Sequence, residues 1–180
     1  MKLTKGGFDI IRKEIFNGKL TASQVQALEY LVRRCTEAGM NYPEGAYTLA
    51  TVYHETAATM LPIKERGSDA YLKSKKYYPY IGYGYVQLTW KDNYERIGKL
   101  IGVDLIKNPE KALDPEVASE IMVLGMLHGW FTGVGFQKKR PVYKYDRISY
   151  IRARAIINGT DKAAAIAEYA IVFEKALRSL

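Results

Sequence analysis

Residues 117–131, Val-Ala-Ser-Glu-Ile-Met-Val-Leu-Gly-Met-Leu-His-Gly-Trp-Phe, are apolar nearly all round. A helix with so little polar face has to be enclosed by the rest of its chain. The run, opened by Asp114-Pro115, therefore predicts a buried core helix within a mainly α fold. Helical punctuation recurs on either side. Thr21-x-x-Gln24 is a capping box opening a helix to about residue 38, with Gly39 as its stop. Asn41 and Pro43 open another through about residue 58, the proline suiting a first helical turn. Residues 89–102, 146–157 and 161–177 complete the set, with Asn158-Gly159 as the break between the last two.

One stretch has another character. Residues 66–86 hold Gly67, Gly82 and Gly84, a Lys73/Lys75/Lys76 run and Tyr77, Tyr78, Tyr80, Tyr83 and Tyr85. This pattern predicts a loop with a short β-hairpin ending in Tyr85-Val86-Gln87-Leu88. There is no internal repeat and no linker, so the 180 residues read as one domain, 1–180, with N-terminal helices over 1–39.

Charge and cysteine usage narrow the partners. Lys and Arg number 27 against 19 Asp and Glu, a net +8. Such an excess suits polyanionic partners: nucleic acid, an anionic membrane surface or an anionic bacterial wall. No window reaches the ~20 apolar residues of a membrane span, so no stable membrane insertion is expected. Met-Lys-Leu-Thr-Lys-Gly-Gly has no apolar signal core, which predicts a cytoplasmic protein. Cys35 stands alone, in a helical pattern with Leu28, Leu31 and Val32, as a reduced and partly buried thiol.

The chemistry-bearing residues begin at His54-Glu55-Thr56. Glu55 lies about 60° around the helix from Val52, at the edge of an apolar stripe. A carboxyl against apolar surface resists ionisation, as a general acid must near neutral pH. An edge glutamate reaching into water would show the same spacing. His-Glu also opens a zinc-protease motif, but the histidine needed four residues on is Ala58, so no metal is expected.

Glu65 follows ten residues later and could supply the second carboxylate of an inverting glycosidase, where the pair stands roughly 6.5–9.5 Å apart. A loop glutamate paired with Lys64 or Arg66 accounts for it equally, and Asp69 competes for the role. Residues 82–94 then combine amides, hydroxyls and flat rings in Gln87, Thr89, Trp90 and Asn93. Sugars are bound by that mixture, and stacked single-stranded bases could be too. The segment lacks the third glycine of a dinucleotide fingerprint and the Gly-Lys-Ser/Thr of a phosphate loop, so no cofactor is expected.

Taken together, Ala46-Tyr47-x-Leu49-Ala50-Thr51-x-Tyr53-His54-Glu55-Thr56 and Gly84-Tyr85-Val86-Gln87-Leu88-Thr89-Trp90-x-x-Asn93-Tyr94 resemble glycoside hydrolase family 19. More closely, they resemble its phage and prophage endolysins. The match runs on through Asn108-Pro109, Ala112-Leu113-Asp114-Pro115, Gly129-Trp130-Phe131-Thr132-Gly133 and Ala153-Arg154-x-Ile156-Ile157-Asn158-Gly159, covering about residues 40–178.

The resemblance implies a lysozyme-like fold whose hairpin insertion lines a cleft, and inverting hydrolysis of a β-1,4 bond beside an N-acetylated sugar. It makes Glu55 the general acid and Glu65 the general base. It assigns substrate contacts to His54, Tyr85, Gln87, Thr89, Asn93 and Asn158. One departure stands out: the family has Gly-Arg-Gly where this chain has Gly82-Tyr83-Gly84, which removes a fixed charge and a bidentate donor. The expected function is a monomeric endolysin with lysozyme (muramidase) activity, cutting the glycan strands of peptidoglycan after release through a holin pore. It would need no nucleic-acid partner. The alternatives are a chitinase and a non-catalytic cell-wall-binding module.

Overall fold

The computed structural model describes residues 1–138 and 146–180. Among these the fold is mainly helical, as expected, with eight α-helices and one two-stranded antiparallel sheet. The chain divides into two compact units: residues 1–60 with 123–180, and residues 61–122.

The first unit opens with α1 (Lys5–Glu14), capped by the Thr4 hydroxyl, which accepts from Gly7 N–H. Next comes α2 (Ala22–Glu37), whose Thr21–Gln24 capping box forms in both directions. Helix α3 (Tyr42–Glu55) has a second reciprocal box, Asn41–Glu44, and Pro43 in its first turn. It is the most enclosed helix of the unit, with every residue from Gly45 to Val52 buried. Its role as core helix was hidden in the sequence by Thr48 and Thr51, both fully buried. Thr48 manages burial by donating to the Glu44 carbonyl one turn back.

Helix α3 stops at Glu55, three residues before the expected end. Thr56 caps it: its hydroxyl donates to the Val52 carbonyl and accepts from Met60 N–H. Ala57, Ala58 and Met60 then turn left-handed at φ 49°, 67° and 60°. Around α3 the aromatic packing is dense. Tyr47 stacks on Tyr150 at 6.0 Å, and Tyr53 meets Phe16, Tyr169 and Phe173 edge-on. The unit closes with α7 (Arg147–Ala153), a 3-10 turn (Arg154–Ile156) and α8 (Ala163–Leu177), which packs along α3. The expected 146–157 helix is thus two pieces, and Gly159 breaks left-handed at φ 47°.

The second unit carries the hairpin, though not where the sequence suggested. Strand β1 (Ile63–Lys64) pairs with β2 (Tyr83–Gly84), in register Ile63↔Gly84 and Lys64↔Tyr83. Its first strand therefore precedes the tyrosine-rich stretch, and Tyr83↔Leu88 is only a single bridge. Between the strands lies a short helix, α4 (Asp69–Lys73), that the sequence did not announce. Helix α5 (Lys91–Ile101) starts two residues late because Trp90 sits at φ 77°, and ends at left-handed Gly102. A 3-10 turn (Pro109–Leu113) follows.

The apolar run becomes α6 (Pro115–His128), which begins in the second unit and ends in the first. It stops three residues short of the expected end, where Gly129 turns left-handed at φ 72°. There a Cβ would come within 2.9 Å of the Val134 backbone, so only glycine fits. Among the described residues no helix is long and apolar enough to cross a membrane.

Candidate active site

Glu55 is the last helical residue of α3, and its side chain is 19% exposed. Its Oε1 accepts from Arg154 Nη1 at 2.9 Å. Arg154 is only 2% exposed, and its Nε donates to the Asp161 carbonyl at 2.7 Å, so the guanidinium is held from both sides. The neighbour that defines Glu55 is thus a buried cation, where helix periodicity pointed to apolar surface. A fork-shaped donor of this kind fixes the orientation of a carboxylate. The Oε2 atom makes no hydrogen bond among the described residues.

Deeper in the same unit, the Tyr47 hydroxyl and Thr51 Oγ1 are buried without a hydrogen-bond partner among the described residues. Burial drives the Tyr47 phenol well above its ordinary value, Arg154 opposes that rise and Glu55 adds to it. The phenol therefore stays neutral. Asn158, exposed in the turn after the last 3-10 helix, donates its backbone N–H to the Arg154 carbonyl. His54, half-buried, makes no side-chain hydrogen bond among the described residues.

Glu65 sits in the second unit, just beyond β1, and both its oxygens are engaged. Oε1 accepts from the Tyr77 hydroxyl at 2.8 Å and Oε2 from Gly82 N–H at 2.9 Å. The main chain adds Glu65 N–H to the Gly82 carbonyl at 2.6 Å, continuing the hairpin ladder by one step. Each carboxylate oxygen keeps further acceptor capacity, enough for a water. Asp69, the competing candidate, is 84% exposed and meets only Lys64, at 3.9 Å. It lacks any positioning partner among the described residues.

The remaining candidates form a chain of bonds along the hairpin's exit. Gln87, itself left-handed at φ 55°, commits its amide nitrogen to the Ile63 and Gly84 carbonyls. Thr89 donates to the Gln87 carbonyl, and Asn93 Nδ2 donates to the Thr89 carbonyl. Much of this polar equipment thus braces the backbone beside Glu65. Tyr85 is buried. Tyr83, where the resemblance expects arginine, is buried too. Burial first, then the Glu110 charge, raises the Tyr83 phenol above its ordinary value, so the phenol stays neutral.

Two residues escaped sequence reasoning. Arg154 was visible only as part of a motif, because nothing local announces a partner 99 positions away. Tyr77 was one tyrosine among several, and only the fold selects it. Among the described residues no cluster of three His, Cys, Asp or Glu could hold a metal ion.

Comparison with known proteins places this arrangement. The chain is 35% identical over 88 residues to endochitinase 1 of Theobroma cacao, covering 45% of this chain and 25% of that one. It is 33% identical over 63 residues to endochitinase A2 of Pisum sativum, covering 31% of this chain and 19% of the relative. The chain thus spans a quarter or less of the length of these relatives. In structure it is similar to a bacterial family 19 chitinase, with TM-score 0.61, 19% identity, and 99% and 96% of the two chains covered. It is also similar to chitinase C from Streptomyces griseus HUT6037, with TM-score 0.53, 21% identity, and 96% and 68% covered. Those likenesses establish the lysozyme-like fold of family 19. Residues 13–145 match the family model for class I chitinases, and the chain belongs to that family, glycoside hydrolase family 19.

Proposed function

We propose that this chain is a glycosidase that hydrolyses β-1,4 bonds of bacterial peptidoglycan by inversion, as an endolysin of the phage type. The observation that carries the reading is the state of Glu55: little exposed, held on one oxygen by buried Arg154, and unengaged on the other. Protonated on Oε2, Glu55 gives its proton to the glycosidic oxygen as the C1–O bond breaks. A water held on Glu65 forms the new bond to C1 from the opposite face and leaves its proton on that carboxylate. His54, Tyr85, Gln87, Thr89, Asn93 and Asn158 are proposed to contact or frame the sugar. The whole chain is proposed to act as one catalytic domain, as a monomer.

Preference for wall over chitin rests on charge. The net +8 suits an anionic wall and gives nothing to uncharged chitin. A chitinase reading is the second possibility, favoured by the endochitinases among the relatives. Purified walls and chitin oligomers assayed side by side separate the two. New reducing ends from walls, without new free amines, support a glycosidase acting on peptidoglycan; turnover of chitin alone sinks the endolysin reading. Glu55→Gln and Glu65→Gln should each cost about 10²–10⁴-fold in rate, the range for a general acid or base, with the fold kept. Asp69→Asn should cost little, and the reverse pattern would remove Glu65 from its role.

A further inference from the structure

Beside the hairpin, within the second unit, lies a pocket of about 350 Å³ that the catalytic reading leaves unused. Its wall includes the cross-strand pair Lys64 and Tyr83, with Lys73, Tyr78, Lys107 and Glu110 around it. Its charges are unevenly satisfied. Lys64 faces Asp69, which also lines the pocket, and Glu110 stands near the Tyr83 phenol. Lys73 and Lys107 are exposed and make no ion pair among the described residues. Tyr78, 44% exposed, and Pro79 add apolar surface to the same lining. Two uncommitted ammonium groups in a lining with apolar surface suit a ligand with a carboxylate on a hydrocarbon or peptide stem.

The pocket's place in the chain says where such a group would come from. Lys64 immediately precedes Glu65, and Tyr83 immediately follows Gly82, whose N–H holds the Glu65 carboxylate. The cavity and Glu65 therefore share one short hairpin on successive residues, whose side chains alternate in direction, so a flexible substituent of a glycan at Glu65 would pass the strand edge to enter it. Tyr83 matters for the sign of the site. Arginine at this position would bring a cation to pair with Glu110, whereas the tyrosine is neutral and leaves the lysines as the cations of the lining.

We propose that this pocket receives the carboxylate borne by substituents of the peptidoglycan glycan, either the lactyl ether itself or the peptide stem attached to it. The proposal rests on the peptidoglycan reading above and names what would discriminate that polymer from chitin, which carries no such group. Binding is ionic at a partly open surface, so it weakens with salt.

The test uses the whole chain and three small uncleaved probes followed by NMR: N-acetylmuramic acid, an N-acetylmuramyl dipeptide and N,N′-diacetylchitobiose. The acidic probes should shift resonances of Tyr78 and Tyr83. Their affinity should fall about tenfold in the Lys73→Glu/Lys107→Glu double variant, as expected for two partly exposed ion pairs, and persist in the double Arg variant. Response to N-acetylmuramic acid assigns the pocket to the lactyl group, and response to the dipeptide alone assigns it to the stem. Acidic probes that leave the pocket unperturbed, or that bind the charge-reversed variant equally well, overturn the proposal. Walls left uncut while the acidic probes still bind there would refute the endolysin reading and keep the pocket. Walls cut by a protein that ignores the probes would do the opposite.

Discussion

Arg154 Nη1 lies 2.9 Å from Glu55 Oε1, joining the end of α3 to the turn after α7 across 99 residues of sequence. The pair ties the candidate acid to the packing of its own unit, because Arg154 is also anchored on the Asp161 carbonyl. Removing the cation strands a little-exposed carboxylate and an orphaned carbonyl together. Arg154→Ala should therefore destabilise the chain by about 3 kcal/mol, the low end of the range for breaking a buried pair from one side, because Glu55 keeps some exposure. Urea unfolding measures this directly. Arg154→Lys restores the charge without the fork and should recover only part of the loss; full recovery would mean that charge alone matters.

Tyr77 is expected to position Glu65. Its hydroxyl is raised above the ordinary tyrosine value, chiefly because its proton is shared with the Glu65 carboxylate. A raised value in the fold means that the neutral phenol is favoured there. The associated stabilisation is complete below the unfolded value of about 10 and is lost as pH rises through the higher folded one. Tyr77→Phe should lower kcat about tenfold with KM nearly unchanged, as loss of one hydrogen bond to a charged group implies. A pure KM effect would show that Tyr77 touches substrate and does not position the base.

Cys35 is buried on α2, and burial pushes its thiol up to about 12. The native thiol should resist iodoacetamide at pH 8 and react once the chain is unfolded, because the thiolate is the nucleophile. The sign for stability follows from the same shift. The fold holds the proton more tightly, so the contribution is intact below the unfolded value and fades as pH climbs from about 9 toward 12. Rapid native alkylation at pH 8 would contradict the burial.

Gly84 and Gly82 should respond differently to alanine. Gly84 stands at φ 94°, and a Cβ there would approach the Ala112 carbonyl oxygen to 2.9 Å. Gly84→Ala should cost about 1–3 kcal/mol through backbone strain and displacement of the following 3-10 turn. At Gly82 the nearest atom is the Gln87 amide oxygen at 2.8 Å, the end of a flexible side chain, so Gly82→Ala should cost less in thermal unfolding. Equal costs would mean that the left-handed geometry of Gly84 is not what restrains it.

The helical frame was largely legible. The Thr21–Gln24 capping box, the Asn41 and Pro43 start and the Gly39 stop are local chemistry, and each appears where the residues place it. Less legible was anything decided by side chains reaching over a distance. Thr56 ends α3 by bonding Val52 and Met60, a threonine use that reads as neutral in sequence. The hairpin was misplaced because its first strand, Ile63–Lys64, has only two residues and no alternation to detect. Of the candidate site, Glu55, Glu65 and the 87–93 segment were singled out by residue type and motif. The use of Gln87 and Asn93 to hold backbone carbonyls could not be read there.

By itself, then, the order of residues determined most of the helices, several of their caps, the family motifs and the short list of carboxylates, because each depends on neighbours a few positions away. The tertiary structure alone decided which partner each carboxylate received: buried Arg154 for Glu55, Tyr77 and the Gly82 amide for Glu65, and a surface lysine for Asp69. Desolvation and hydrogen bonding act through space, so a carboxylate's environment emerges only once distant segments have packed beside it.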